Sequence, residues 1–294
     1  MHLPVLKKEV IDYLDPKPGE IFIDCTVGEG GHACAILEKI GPEGKLLGID
    51  RDPEILENLK KRISDKRMVL ARGNFADLKE IAEDAGFENI SGILLDLGFC
   101  TWHIEESKKG FSFLKDEVLD MRYCPGEGIT AKDILNSWEA GEIERILKLY
   151  GEERFARIIS ERITEARKRK EIKSTFELAR IIEGAVPSWY RKGKINCATK
   201  TFQALRICVN EELENLEKAL PQTISLLGKG GRMAVISFHS LEDRIVKRFF
   251  IAQARKEAPL IRILTKKPVA AQKEEARENP RARSAKLRAA VKIS

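Results

Sequence analysis

Three glycines, Gly28, Gly30 and Gly31, and a histidine, His32, follow the apolar run at residues 21–25. Glycines let a ligand approach the backbone, and a helix that begins there offers unpaired N–H groups to a carboxylate or phosphate. A tight strand-to-helix connection without a ligand would have the same pattern. The spacing is not G-x-G-x-x-G, which disfavours a nicotinamide cofactor.

Polar or aromatic residues also follow the next three apolar runs. Asp50 can accept hydrogen bonds from both hydroxyls of a ribose, whereas Asp52 is better explained as a helix cap. Asn74 and Phe75 can hold the edge and face of an adenine, although a phenylalanine such as Phe75, taken alone, more often belongs to the core. Asp96 ends the fourth run. Together these residues predict a nucleoside-like ligand with an anionic tail, such as S-adenosylmethionine.

These residues must be positioned by a sheet, because short apolar runs alternate with amphipathic stretches over the first hundred residues. The predicted strands cover residues 21–25, 46–49, 68–71 and 93–97, and the predicted helices cover 31–40, 52–63 and 76–85. Such alternation indicates a parallel sheet with helices on both faces. Ligands of these sheets bind at the carboxyl ends of the strands.

The pattern becomes helical from about residue 99 to residue 208. Thr130 with Asp133, and Ser174 with Glu177, have the spacing of capping boxes that begin helices. The alternation then returns, with these predicted elements: a helix at 209–227, a turn at 228–231, a strand at 232–238, a helix at 240–256, a strand at 260–265, an exposed loop at 266–280 and a last strand at 285–293. We therefore expect one domain from residues 1–105 and 209–294, with an inserted helical substrate-recognition domain at 106–208.

The charge is unevenly distributed. Of 52 Lys and Arg against 46 Asp and Glu, the last 51 residues hold 15 Lys and Arg against 4 Glu, so this tail carries +11 and the rest −5. A basic tail suits a nucleic-acid partner, because Lys and Arg displace counterions from phosphates. The ion-pair-rich surface of a heat-tolerant protein would explain the composition equally well.

Composition also excludes disordered and fibrous proteins. The chain is 43% hydrophobic and 33% charged, which is typical of globular proteins. No stretch is apolar enough to span a membrane and no secretory signal is recognisable, so we expect a cytoplasmic protein without a membrane partner. Six cysteines without a C-x-x-C pair predict reduced thiols, and four scattered histidines predict no metal site.

Eight motifs, in order along the chain, resemble the RsmH (MraW) family of bacterial 16S ribosomal RNA methyltransferases. They are His2-x-Pro4-Val5-Leu6, Gly30-Gly31-His32, Gly92-Ile93-Leu94-Leu95-Asp96-Leu97-Gly98, Gly110-Phe111-Ser112-Phe113, Leu119-Asp120-Met121-Arg122, Thr201-Phe202-Gln203-Ala204-Leu205-Arg206-Ile207, Val235-Ile236-Ser237-Phe238-His239-Ser240-Leu241-Glu242-Asp243-Arg244 and Asn279-Pro280-Arg281-Ala282-Arg283-Ser284-Ala285-Lys286-Leu287-Arg288. The resemblance covers residues 2 to about 290.

The resemblance implies a class I S-adenosylmethionine methyltransferase fold of α/β type, Rossmann-like, with a parallel sheet, helices on both faces, a final antiparallel strand and the helical insertion. It implies methylation of the exocyclic N4 of a cytidine in the decoding region of the small ribosomal subunit. The implied cofactor residues are Gly28, Gly30, Gly31, His32, Asp50, Asn74, Phe75, Asp96 and His103. His103 stands where the family often has Gln.

Three residues are predicted to act on the target base. Asp96 would accept a hydrogen bond from the N4 amine, and Ser237 and His239 would line the base pocket. A Ser-His hydrolase is the alternative for the second pair, but no G-x-S-x-G motif exists. Ser240 and Asp243 are expected to form the capping box of the following helix.

RNA contacts are expected from the insertion and the tail. The predicted RNA-binding residues are Arg154, Arg157, Arg167, Lys168, Arg169, Lys170, Arg281, Arg283 and Arg288. Their partner would be 16S rRNA within the small subunit. Two other functions stay open: methyl transfer to a different acceptor, and a noncatalytic RNA assembly factor that binds S-adenosylmethionine.

Overall fold

The structure is a computed structural model that describes residues 4–294, so the motif residue His2 lies outside the described part of the chain. The chain forms two compact units. Of the described residues, the sheet unit comprises 4–98 and Leu213–Ser294, and the helical unit comprises Phe99–Glu212. These divisions fall after residues 98 and 212, whereas the sequence predicted divisions after residues 105 and 208.

The sheet unit is built on one mixed sheet. Its strands are β1 (Ile21–Asp24), β2 (Lys45–Asp50), β3 (Met68–Arg72), β4 (Ile90–Asp96), β5 (Leu227–Ser237), β6 (Ile261–Ile263), β7 (Val269–Ala270) and β8 (Lys286–Lys292). The order is β3-β2-β1-β4-β5-β8-β6, with β7 also paired to β8. β1 to β5 run parallel, and β8 is antiparallel to β5 and β6. The predicted parallel sheet with a final antiparallel strand is confirmed.

Helices cover both faces of this sheet. The helices of the unit are α1 (Lys7–Leu14), α2 (Gly31–Leu37), α3 (Pro53–Arg62), α4 (Leu78–Asp84), α12 (Glu212–Leu226), α13 (Ser240–Ala254) and α14 (Lys273–Glu278). Alternate strand residues point to opposite faces. Ile23 and Ile93 accordingly pack with α4, α12 and α13, while Phe22 and Leu94 pack with α1, α2 and α3. The two apolar layers fix the strand ends that carry the candidate site.

Two sequence predictions for the sheet unit differ from the structure. Residues 228–231, predicted as a turn, fall within the bounds of β5 and form a bulge there, since the pairing with β4 passes from Ile90 with Leu227 to Gly92 with Arg232 and Gly230 adopts a φ of 85°. The stretch 266–280, predicted as an exposed loop, is mostly exposed but contains β7 and α14. Glu275 of α14 accepts a hydrogen bond from the backbone N–H of Leu6, at 2.7 Å.

The helical unit is a bundle of short helices with its own core. These are α5 (Thr101–Glu105), α6 (Ala131–Ser137), α7 (Ala140–Leu149), α8 (Ala156–Arg169), α9 (Thr175–Ala185), α10 (Ser188–Arg191) and α11 (Thr199–Asn210). Both predicted capping boxes are confirmed, at Thr130 with Asp133 and at Ser174 with Glu177. The predicted helix at 209–227 starts instead at Glu212, because Glu211 has a left-handed φ of 51°. None of the helices within residues 4–294 has the length and apolar character needed to cross a membrane.

Candidate active site

The glycine turn after β1 is shaped by close packing. Gly30 precedes α2 with a φ of 81°, and a Cβ there would lie 2.6 Å from a methyl carbon of Leu59. A Cβ on Gly31 would lie 3.1 Å from the Pro4 side chain. The tight connection thus accounts for these two glycines without a ligand. Cofactor binding by Gly30 and Gly31 stays a prediction.

Asp50 ties the loops after β1 and β2 together. One carboxylate oxygen accepts a hydrogen bond from the N–H of Gly28 at 3.0 Å, and the other accepts from the N–H of Asp52 at 2.9 Å. The carboxylate is therefore held in one orientation at the carboxyl edge of the sheet. The neighbouring Asp52 is buried and accepts from the N–H of Glu54, which confirms it as the cap of α3.

The predicted adenine residues follow β3. The side-chain oxygen of Asn74 accepts from the N–H of Ala76 at 3.0 Å and so caps a 3-10 turn at Phe75–Asp77. Phe75 is half-buried and packs against the core layer that contains α4. Both residues thus have structural partners, and their contact with an adenine stays a prediction.

His32 and Asp96 come together at the start of α2 and the end of β4. The His32 Nε2 atom lies 3.6 Å from the Asp96 Oδ2 atom. Burial, reinforced by the Lys7 charge, lowers the pKa of His32 to about 4, so the imidazole is neutral at pH 7. The contact is therefore polar rather than an ion pair.

Asp96 is held by its backbone, whose N–H donates to the Thr26 hydroxyl at 2.7 Å. Burial raises the pKa of Asp96 to about 7, and the positive charge of Arg281 opposes that shift, while Glu242 adds to it. The Asp96 Oδ1 atom is buried and has no hydrogen-bond partner in the described part of the chain. A carboxyl group with a pKa near neutrality and an open acceptor is suited to a substrate or cofactor contact.

Asp24 and Arg281 belong to this neighbourhood although the sequence reasoning did not place them there. Asp24 is 1% exposed, and burial raises its pKa to about 7, with further contributions from Asp96 and Asp50, although the hydrogen bond from Thr26 opposes the rise. Its position at the end of β1, directly before the glycine turn, was the available signal. Three carboxyl groups therefore converge at the ends of β1, β2 and β4.

Ser237 and His239 lie at the end of β5. The Ser237 side chain is 2% exposed, and its hydroxyl donates to the backbone oxygen of Lys286 at 3.3 Å. His239 Nδ1 accepts from the N–H of Glu242, whose carboxylate accepts from the N–H of Phe238 at 2.8 Å. Both residues have structural partners within the sheet unit, and their contact with a target base stays a prediction.

The expected Ser240–Asp243 capping box is wrong. The box is formed by His239 and Glu242, and Ser240 is already the first residue of α13. Asp243 instead accepts two hydrogen bonds from Arg288 on β8, at 2.6 and 3.2 Å. Histidine can cap a helix in this way because a neutral ring nitrogen accepts a hydrogen bond.

His103 belongs to the helical unit. Its Nδ1 atom accepts from the N–H of Cys100 at 3.2 Å, at the start of α5. Its ring centre lies 4.9 Å from that of Phe111 and 5.1 Å from that of Tyr123. The ring therefore serves the packing of an aromatic cluster, and its predicted contact with a cofactor stays a prediction.

The predicted RNA-binding residues differ in exposure. Six side chains are exposed: Arg154, Arg157, Lys168, Arg169, Lys170 and Arg283. Arg167 is half-buried and donates to the carbonyls of Leu135 and Trp138 at 3.0 and 2.6 Å, which binds the end of α6. Arg288 is buried on β8 and donates to Asp243, so it has a structural partner in the sheet unit, and its contact with RNA stays a prediction.

Arg281 is half-buried and faces the acidic edge. Its guanidinium carbon lies 5.7 Å from the ring centre of Phe238, and its charge acts on Asp96. The arrangement places one cation beside the carboxyl groups at the ends of the central strands. The sequence predicted a phosphate contact here because the motif that contains Arg281 lies in the basic tail.

Comparison with known proteins agrees with the resemblance in the motifs. A model described as the MraW methylase family matches residues 1–293. The chain belongs to the MraW methylase family. Ribosomal RNA small subunit methyltransferase H of Trichlorobacter lovleyi is 46% identical over 309 residues, covering 99% of this chain and 98% of the relative. The proteins of that name from Geobacter sulfurreducens and Persephonella marina are also 46% identical, with 99% of both chains covered.

Family membership confirms the expected enzyme class, a methyltransferase with S-adenosylmethionine as cofactor. The residues at the strand ends suit the positively charged sulfonium and ammonium groups of this cofactor. Asp24, Asp50 and Asp96 place three carboxyl groups at one edge, Asp24 and Asp96 become ionised as the pH rises through about 7, and the open acceptor of Asp96 is available to a donor. An acidic edge stabilises a sulfonium and an ammonium group by direct electrostatic attraction.

Proposed function

We propose that the protein transfers the methyl group of S-adenosylmethionine to the exocyclic N4 of a specific cytidine in 16S rRNA, in the decoding region of the small ribosomal subunit. The observation that carries the proposal is the full-length relationship to proteins named ribosomal RNA small subunit methyltransferase H. Such a substrate would place the reaction in the cytoplasm.

The cofactor supplies an electrophilic methyl group, so the chain mainly has to bind it and align the nucleophile. Asp50, whose oxygens are fixed by Gly28 and Asp52, would hold the ribose. The N–H groups at the start of α2, with His32, would hold the carboxylate end. Asn74 and Phe75 would contact the adenine, and the position of His103 in the family pattern supports a further contact.

Asp96 is our candidate for the group that activates the target amine. The lone pair of cytosine N4 is delocalised into the ring, which makes this nitrogen a poor nucleophile. An ionised carboxylate that accepts an N4–H bond would favour the more pyramidal, reactive nitrogen. Since the pKa of Asp96 is raised to about 7, the required ionised form increases as the pH rises through neutrality.

Ser237 and His239 would line the pocket of the target base. Ser237 ends β5 and His239 follows it, and β5 pairs directly with β4, the strand that ends at Asp96. A base inside structured RNA must leave its stack to reach such a pocket. Backbone phosphates would be held by exposed cations, for which Lys168, Arg169 and Lys170 at the end of α8 are candidates.

The test is to incubate the full chain with methyl-labelled S-adenosylmethionine and small ribosomal subunits that lack the modification, followed by mass analysis of nucleosides. We expect N4-methylcytidine at one position of 16S rRNA. Label on another nucleoside, or on a protein, would refute the proposed acceptor. Cofactor binding without any transfer to subunits or free RNA would favour a noncatalytic assembly factor.

The variant Asp96→Asn tests the role of the carboxylate. At saturating cofactor it should lower the single-turnover rate by roughly tenfold or more, because a charged hydrogen-bond acceptor is replaced by a weaker neutral one. A full rate with the cofactor bound would refute the role of Asp96.

A further inference from the structure

The helical unit carries an exposed aromatic side chain that neither the cofactor site nor the predicted RNA residues include. Trp189, on α10, is 60% exposed. Scattered exposed aliphatic residues are ordinary on protein surfaces, but an indole ring with most of its surface in water is less common and is typical of binding surfaces.

Rigid neighbours hold Trp189 in place. Its ring centre lies 5.8 Å from that of Phe155 and 5.8 Å from that of Tyr190, with interplanar angles of 60° and 81°. The Tyr190 hydroxyl donates to the carboxylate of Glu153 at 2.8 Å, and Glu153 is 3% exposed. The second oxygen of this carboxylate accepts from the N–H of Phe155. These ring contacts and hydrogen bonds thus hold the indole ring of Trp189 in a fixed position.

Positive charge lies beside the ring and close to it in sequence. The guanidinium carbon of Arg154 lies 5.6 Å from the centre of the Trp189 ring, within the range of a cation–π interaction. Arg191, Lys192 and Lys194 follow within five residues of Trp189, and all three are exposed. From residue 184 to residue 210 the sequence contains no Asp or Glu. An anionic partner is therefore favoured over a neutral one.

We propose that Trp189 is a stacking platform for an unpaired base of the RNA substrate, with Arg154 and the cations at residues 191–194 contacting the flanking phosphates. Aromatic rings beside cations are the common arrangement for single-stranded nucleic acid, because every base has a π-face and every linkage carries a negative charge. The platform belongs to the helical unit, whereas the acidic strand ends belong to the sheet unit, so it would add affinity without taking part in methyl transfer. This inference rests on the proposed function in that RNA is the substrate.

The first test measures base stacking directly. In a full-length Trp102→Phe/Trp138→Phe variant, Trp189 is the one remaining tryptophan of the three. Titration with oligouridylate of about twelve nucleotides should quench its fluorescence, because a stacked base quenches indole emission, whereas inorganic polyphosphate of similar charge should not. Equal quenching by both probes, or none by oligouridylate, would overturn the platform.

The second test measures its contribution to RNA binding. Trp189→Ala should weaken oligouridylate binding at least about fivefold, Trp189→Phe should restore most of it, and cofactor affinity should not change. Leu149→Ala, which removes another exposed apolar side chain of the same unit (57% exposed), is the matched control and should bind as the wild type does.

Two outcomes separate this inference from the proposed function. If the wild-type protein methylates cytidine in subunits and Trp189→Ala binds oligouridylate normally, the platform is refuted and the proposed function stands. If Trp189→Ala loses subunit methylation while its oligouridylate affinity is intact, the surface contacts a ribosomal protein, which also refutes the platform. Failure of the wild-type protein to methylate cytidine refutes the proposed function alone, because the fluorescence quenching is scored independently.

Discussion

At the scale of single residues, the chemistry of the site depends on how much charge the strand ends can hold. Asp24, Asp50 and Asp96 occupy one edge, and burial raises the pKa of Asp24 and of Asp96 to about 7. Arg281 is the cation that acts on Asp96. The ionisation of Asp96 is therefore set by the balance between burial, which favours the protonated form, and the Arg281 charge, which favours the carboxylate.

The variant Arg281→Gln tests this balance. Removal of the cation raises the pKa of Asp96 further, so the ionised form appears only at higher pH. The single-turnover rate should rise with pH through about 7 in the wild-type protein and through a higher midpoint in the variant. Rates measured from pH 5.5 to 9 check this, with the exposed Arg283→Gln as control. An unchanged midpoint in Arg281→Gln would show that Asp96 does not govern the rate.

The raised pKa of Asp24 makes the stability of the folded protein depend on pH. Its pKa is about 7 in the folded protein against an ordinary value of 3.8, so between these values the folded state keeps a proton that the unfolded state has released. The free energy of unfolding therefore falls as the pH rises from about 4 to about 7, and the loss is complete above that.

Asp24→Asn should remove this loss, because an amide cannot ionise. We expect the variant to be more stable than the wild type at pH 8, on the order of 1–4 kcal/mol, with little difference near pH 4. Thermal unfolding at both pH values is the measurement, and Asp12→Asn on the exposed side of α1 is the control. A gain of equal size at both pH values would mean that shape, and not charge, decides the effect.

Single residues were predictable from sequence where one strand end decides their position. Asp50, Asp52 and Asp96 each end or follow an apolar run, and the structure places them at the carboxyl edge of the sheet. Arg281 was not predictable as a neighbour of Asp96, because it lies 185 residues further along the chain and only the tertiary fold brings it to that edge.

At the scale of elements, the position of β8 in the sheet determines which cations of the basic tail are buried. This strand lies between β5 and β6, so five of its seven residues are buried. Arg288 on it is paired with Asp243 of α13. The pair connects the last strand to a helix on the sheet, so this cation, which the sequence predicted to contact RNA, has a structural role in the fold.

Arg288→Met should destabilise the protein by about 3 kcal/mol, because the variant leaves the carboxylate of Asp243 buried without its main partner. Denaturant unfolding checks this, with the exposed Arg283→Met as control, for which we expect a change within about 0.5 kcal/mol. The double variant Arg288→Met/Asp243→Leu should recover much of the loss. If Arg288→Met were as stable as the wild type but bound RNA more weakly, the original assignment of Arg288 to RNA would be correct.

Elements were predictable where a local pattern is unambiguous. Short apolar runs located β1 to β4, and the Thr130 and Ser174 caps located the starts of α6 and α9. The glycines of residues 228–231 predicted a turn, whereas the structure has a bulge within β5, because a glycine-rich sequence alone does not show whether the strand continues after the irregularity. The cap of α13 was misplaced by one residue since a histidine and a serine at adjacent positions can both accept the required hydrogen bond.

At the scale of the whole molecule, the net charge of +6 is a poor guide to the RNA-binding surface. Two cations of the positive tail already have partners within the sheet unit. Arg288 contacts Asp243, and Lys292 donates to the backbone oxygen of Leu227 at 2.6 Å. In the helical unit, Lys168, Arg169 and Lys170 are exposed at the end of α8. We therefore expect the salt dependence of RNA binding to come mainly from the helical unit rather than from the tail.

Each phosphate contact that is lost should lower the slope of log affinity against log salt concentration by about 0.7–0.9. The double variant Lys168→Gln/Arg169→Gln should thus reduce the slope for a 16S rRNA fragment by roughly 1.5, measured by titration between 50 and 300 mM KCl. Lys60→Gln/Lys61→Gln, which removes two exposed cations at the end of α3, is matched in charge and should leave the slope unchanged. Equal reductions in both variants would mean that RNA responds to the total charge of the molecule, and a reduction in the α3 variant alone would assign phosphate binding to the sheet unit.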